Sequence, residues 1–225
     1  SSDVCSSDLT LHEAAHAWAA KRGGDLTAYH GGQVSLDPRP HIRREPFGMV
    51  VLPILSVLVS GWPLGFASAP FDPMWALRYP KRAAWMALAG PGANLLLVLI
   101  AACAMRLGMA LDILAAPSSV GFDRIVVAAS GGLWSGVAFA LSVFFSMNLL
   151  LASLNLIPLP PLDGSAAVPA VLTDALGERY QRFLLQNGQT FAMVGMLAAW
   201  RLFDLIYDPI FLTAINLLHW GARYG

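Results

Sequence analysis

His12, Glu13 and His16 form an HExxH motif within Thr10-Leu11-His12-Glu13-Ala14-Ala15-His16-Ala17-Trp18. Four residues apart on a helix, the two imidazoles share one face and are placed to hold a single zinc ion. A glutamate between them is the group that activates a water at such a site. A catalytic zinc keeps three protein ligands and leaves the fourth position to water. The motif therefore requires a third ligand elsewhere in the chain.

The surroundings of the motif are apolar. Of 225 residues, 56% are hydrophobic and 12% charged, whereas a soluble domain carries about 25% charged residues. The class is a multi-pass membrane protein. Ionisable groups within such a chain are functional by default; the bland alternative is a helix end with two interfacial histidines and a solvated glutamate. Net charge is zero and no basic stripe is present, which argues against a nucleic-acid partner. Cys5 and Cys103 make no metal-type pair and indicate no disulfide framework.

Helices must carry these groups. The apolar stretch 9–20 reads as the first helix, ended by Lys21-Arg22 and broken by Gly23-Gly24. It is about 12 residues long, short of the roughly 20 needed to span a bilayer. Residues 1–8 are polar, nearly repeat Ser-Ser-Asp and lack the pattern of a signal peptide. They are expected to be a non-native or truncated start, with 9–225 forming one integral-membrane domain. Residues 26–46 are polar, and Gln33-Val34-Ser35-Leu36-Asp37 alternates like a hairpin arm. Residues 47–69 are apolar but broken by Pro53 and Gly61-Trp62-Pro63. A clear span, 83–105, contains Gly90-Pro91-Gly92-Ala93-Asn94. Residues 125–157 are too long for one straight crossing, and Gly131-Gly132 and Gly136 suggest a bend or an interfacial lead-in. Beyond a polar stretch, 190–205 and 209–220 are two shorter apolar segments. The expected fold is an all-α multi-pass helical bundle with a short membrane-associated β-hairpin and a re-entrant segment.

Charge bias orients this bundle, because cytoplasmic loops carry the excess of Lys and Arg. Lys21, Arg22, Arg39, Arg43 and Arg44 precede the 47–69 segment, and Arg78, Lys81 and Arg82 follow it. Both flanks read as cytoplasmic, so 47–69 is expected to enter and leave by the same face. Non-helical backbone at that depth must be covered by protein or line water. Span 83–105 then runs outward, 125–157 returns, and the loop bearing Asp163 is cytoplasmic. His12 and His16 lie roughly 7–14 Å below that boundary at 1.5 Å per residue. Asp163 follows its own span at the same depth, which makes it the candidate third ligand. The protein is placed in the cell membrane with its active site near the cytoplasmic side.

Three motifs together resemble the site-2 protease family of intramembrane zinc metalloproteases. They are HExxH at 12–16, GPxxN at 90–94, and Asn155-Leu156-Ile157-Pro158-Leu159-Pro160-Pro161-Leu162-Asp163-Gly164. Gly32-Gln33-Val34-Ser35-Leu36-Asp37-Pro38 with His41 looks like the hairpin segment of the small prokaryotic branch without a PDZ domain. The resemblance implies that His12, His16 and Asp163 hold one zinc ion and that Glu13 is the catalytic residue. It also implies that Asn94 and Asn155 lie near the site. After Asp163-Gly164 this chain has Ser165-Ala166, where the family usually has Gly and Arg.

The implied function is zinc-dependent endopeptidase cleavage of transmembrane segments of membrane-bound substrates. A substrate helix must unwind before attack, and an exposed edge near the metal would hold it by strand addition. Val34–Leu36 and the proline-rich 155–161 run are candidates. Asn94 and Asn155 would donate to substrate backbone or oxyanion, or else pair helices within the bundle. His30 and His41 read as interfacial or solvated, and His219 beside Trp220 as an interface residue. The alternative is a catalytically inactive scaffold, or a transporter-like bundle, that binds transmembrane helices. Retention of all four of His12, Glu13, His16 and Asp163 favours the enzyme, and a transporter would show paired broken helices. Substrate identity, regulation and oligomeric state are not written in the sequence.

Overall fold

The computed structural model describes residues 2–52, 54, 55, 58, 68–220, 223 and 224. The helices are α1 (Ser2–Gly23), α2 (Thr27–His30), α3 (Pro38–Arg44), α4 (Pro73–Arg78), α5 (Pro80–Ala110), α6 (Leu133–Asn155), α7 (Asp163–Ala167) and α8 (Asp174–Leu218). A π-helical turn covers Phe47–Val51 and a 3-10 turn covers Val168–Val171. The strands β1 (Leu114–Ala115) and β2 (Val127–Ala128) pair antiparallel. The chain forms two compact units, Ser1–Ala93 with Asn155–Ala199, and Asn94–Leu154 with Trp200–Gly225.

In the first unit, the end of α1 is held by a polar junction. Gly24 takes φ +99, a left-handed conformation that glycine adopts without a Cβ penalty. The carbonyl of Gly23 accepts from Trp75 Nε1 and from Arg82 Nη1, each at 3.1 Å. Buried Asp25 accepts from Thr27 N at 2.9 Å, Thr27 Oγ1 at 2.6 Å and Asp72 N at 2.8 Å. Asp72 caps α4 through Met74 N at 2.8 Å, with Pro73 in the first turn. Ala20, Trp75, Ala76, Ala83 and Met86 pack together beneath this junction. The result fixes α1 against α4 and the start of α5.

The start of α8 belongs to the same unit. A Cβ at Gly177 would stand 3.1 Å from Pro80 Cβ, and one at Gly195 would overlap the carbonyl of Pro160. Lys81 Nζ pairs with Asp174 Oδ1 at 3.4 Å. Two close approaches therefore set the register of α8 along this unit.

The second unit has its own apolar core, built around Met105, Ile125, Phe145 and Ile215. Non-helical backbone entering that core is met by side chains. Ser142 Oγ accepts from Ile125 N and Val126 N at 3.0 and 3.2 Å and donates to Ala138 O at 2.7 Å. His219 Nε2 donates to Ile125 O at 2.8 Å. These bonds satisfy backbone groups that burial would otherwise leave unpaired.

Among the described residues, α5 and α6 are long and apolar enough to cross a membrane. A third span is counted if the helical stretches Thr190–Ala199 and Arg201–Leu218 are taken as one. Leu96, Leu99 and Ile100 stand exposed on α5, as expected where lipid is the solvent. The chain is a helical membrane protein.

Several expectations change. Residues 33–37 form no strand: bends lead into Asp37, whose carboxylate caps α3 at Arg39 N, 3.0 Å away, with Pro38 opening the helix. Competition from that cap explains why a weak alternating pattern did not become a ladder. The small sheet lies instead at 114–115 and 127–128. The segments 190–205 and 209–220 are not separate: α8 runs through both as far as Leu218. Of the glycines expected to break 125–157, Gly131 and Gly132 take φ +73 and +64 just before α6 starts, whereas Gly136 lies inside that helix. The turn expected at Gly61-Trp62-Pro63 lies outside the described residues.

Candidate metal centre

The helical spacing within α1 does what the sequence requires of it. His12, Glu13 and His16 are all buried and bring one donor atom each within 4.8 Å of one another. His16 Nδ1 donates to Met86 O at 2.7 Å, which fixes the tautomer and turns the Nε2 lone pair inward. His12 Nε2 lies 3.0 Å from His16 Nε2.

Asp163, at the start of α7, closes the group. Its Oδ2 stands 3.0 Å from His12 Nε2 and 3.2 Å from His16 Nε2. Metal bonds of about 2.0–2.1 Å in tetrahedral array separate ligand atoms by roughly 3.3 Å, close to these spacings. With Nδ1 of His16 engaged at Met86, electron-pair donors converge on one point. They repel one another unless a proton or cation lies among them. With a proton there, burial pushes the Asp163 carboxyl up, but positive charge at His16 and hydrogen bonds from both imidazoles outweigh it and hold the group below the ordinary carboxylate range. A bound cation would act in the same sense. The donor set fits a divalent zinc ion.

Glu13 is 3% exposed, and its Oε2 has no hydrogen-bond partner among the described residues. It borders a cavity of about 240 Å³, together with His16, Asp163 and Gln181. A buried acceptor without a partner is rare in folded proteins, and here it faces a space large enough for water and substrate. The arrangement suits general-base chemistry beside a Lewis acid.

Glycine makes room for the centre. A Cβ at Gly90 would overlap His16 Nε2 and stand 2.6 Å from His12 Nε2. The Gly-Pro-Gly of the 90–94 motif thus brings the backbone of α5 against the imidazoles. At Gly164, a Cβ would overlap Leu156 O and stand 2.5 Å from Ile157 O. The proline-rich 156–162 turn folds back on α7 there, and this sets Asp163.

The remaining candidates are placed as follows. Asn155 ends α6 half-buried, in the first unit with Asp163. Asn94 lies in the second unit, fully buried, and its Nδ2 donates to Asn148 Oδ1 at 2.8 Å. His30 is exposed, as expected. His41 is not solvated: it is 1% exposed, and its Nε2 donates to Ser35 O at 3.1 Å. Buried Gln181 escaped the sequence reading altogether, because a glutamine in a polar stretch carries no spacing signal.

The model of Peptidase family M50 matches residues 6–199, most of the chain. The chain belongs to peptidase family M50. Two relatives bear the printed name "Putative zinc metalloprotease". YwhC from Bacillus subtilis is 33% identical over 159 residues, covering 69% of this chain and 61% of that protein. Rip2 from Mycobacterium tuberculosis is 35% identical over 189 residues, covering 84% of this chain and 61% of that protein. The chain therefore spans about three-fifths of the length of these M50 relatives. No solved structure matches it significantly.

Proposed function

We propose that this M50 protein is a zinc-dependent endopeptidase that cleaves transmembrane segments of membrane-bound protein substrates, working in the cell membrane near its cytoplasmic side. His12, His16 and Asp163 hold the zinc, and Glu13 is the general base. The observation that carries this reading is the convergence of the three donor atoms within 3.2 Å, with the unpartnered Oε2 of Glu13 on the adjoining cavity. Zinc held there supplies a Lewis acid and lowers the pKa of a bound water toward about 7.

The chain's own groups do the rest. Glu13 Oε2 accepts the proton of the attacking water and then delivers it to the leaving amine. Met86 O holds His16 in its ligating tautomer. Apolar walls at Met86, Ala87 and Leu162 lower the local polarity, which strengthens each polar interaction at the site. Asn155 keeps a substrate-facing role in this reading, whereas the Asn94 amide is engaged at Asn148. Residues 9–225 act as one integral-membrane enzyme domain.

The test is cleavage of a transmembrane reporter by purified protein, with zinc content measured alongside, for wild type and Glu13→Gln. Equal zinc in both, with the variant slowed by about 10²–10⁴-fold, is expected for loss of a general base. Absence of zinc from wild type would overturn the ligand set and favour a non-catalytic scaffold.

A further inference from the structure

Gln181 lies on α8 within the first unit and is 5% exposed. It lines the cavity that Glu13, His16 and Asp163 also line. The other polar side chains on that wall already have roles. Glu13, His16 and Asp163 belong to the metal centre, Ser165 Oγ donates to Leu162 O at 2.8 Å, and Ser68 Oγ donates to Glu45 Oε1 at 2.9 Å. The Gln181 amide makes no hydrogen bond among the described residues and is not one of the buried atoms left without a partner, so it opens onto the cavity. An amide that opens onto a reaction cavity and is not spent on the protein's own groups is free to meet a ligand group there. Its mounting is rigid, because close approaches of Gly177 to Pro80 and of Gly195 to Pro160 hold α8 on either side of it.

The chemistry of that ligand follows from the side chain. A glutamine amide offers two N–H donors and a carbonyl acceptor. A backbone peptide unit presents the complementary pair, one C=O and one N–H, but only when it is extended. In a helix both groups are already bonded. The rest of the wall is apolar, with Phe71, Met86, Leu162 and Ala166 exposed to the cavity. An apolar side chain would enter this space while its own backbone meets the amide.

We propose that Gln181 is a substrate-positioning residue that pairs through its amide with one backbone peptide unit of an unwound, apolar substrate segment beside the metal. This rests on the endopeptidase reading and adds to it the element that selects extended over helical chain. The hydrogen bonds are made equally in the bound substrate and in the transition state, so their loss raises KM more than it lowers kcat.

The experiment uses the zinc-loaded chain of 225 residues in detergent and a Leu-Ala-Leu peptide hydroxamate as probe. Analogues replace each backbone N–H in turn with an ester oxygen. Wild type is expected to lose about tenfold in affinity at one position, the value of one hydrogen bond in a dry site. Gln181→Leu should bind amide and ester alike at that position, with unchanged zinc content and thermal midpoint. Equal losses in wild type and Gln181→Leu at every position would overturn the proposal and leave the metalloprotease reading standing. Failure of zinc-loaded wild type to bind any hydroxamate would overturn both.

Discussion

The backbone of Gly90 lies directly against the imidazole of His16, so closely that a Cβ would overlap Nε2. A glycine in mid-helix costs stability relative to alanine, by about 0.5–1 kcal/mol, and here the missing side chain leaves room for a ligand. Gly90→Ala is therefore expected to do the opposite of what helix propensity suggests. Overpacking should cost about 1–3 kcal/mol and displace His16. Thermal melting in detergent, together with zinc analysis, would check this. A variant with wild-type midpoint and full zinc would contradict the close approach.

Asp163 joins the two histidines from 151 and 147 positions away in the chain. Asp163→Asn keeps its shape and removes its charge. Structural zinc sites have apparent binding free energies of about 10–16 kcal/mol shared among four ligands, so one ligand is worth roughly 3 kcal/mol, or about a hundredfold in affinity. Competition with a chromophoric chelator would measure the loss. Unchanged affinity would remove Asp163 from the ligand set.

Gly164 has carbonyls of Leu156 and Ile157 where a Cβ would be. Gly164→Ala must push the proline-rich turn away from α7, and Asp163 moves with it. A destabilisation of about 1–3 kcal/mol is expected, with weaker zinc binding although no ligand is changed. If stability falls while zinc affinity is kept, the turn does not position Asp163.

Asp25 accepts three hydrogen bonds at 2.6–2.9 Å from Thr27 and Asp72. Asp25→Asn puts an N–H₂ group against at least one of those donors. Hydrogen bonds to a buried charge contribute about 1.5–3 kcal/mol, so the thermal midpoint should drop while the zinc ligands stay intact. Loss of zinc with no change in midpoint would show that the junction at the end of α1 acts on the site rather than on stability.

Much of the centre was legible in the chain because its rules are local. His12 and His16 share a face by helix periodicity alone, and Glu13 lies between them whatever the rest of the protein does. The two long apolar helices follow from span length, and the break at Gly131-Gly132 from the conformational freedom of glycine. The expectation for Gln33–Asp37 failed for an equally local reason: Asp37 and Pro38 start a helix, and a cap outcompeted two residues of weak alternation. His41 escaped because a polar neighbourhood in sequence says nothing about burial, which depends on what packs over it.

The chain by itself therefore determined the donor types, their spacing on α1 and the membrane character of the long helices. These are properties of dihedral period and side-chain chemistry. Asp163 was already the candidate third ligand from its place in the chain, but only the tertiary structure brings its Oδ2 within 3.2 Å of both imidazoles, sets Gly90 against His16 and puts Gln181 on the cavity of Glu13. Each depends on how elements far apart in sequence pack. Close packing turns the absence of one methyl group into a condition for the candidate site to form.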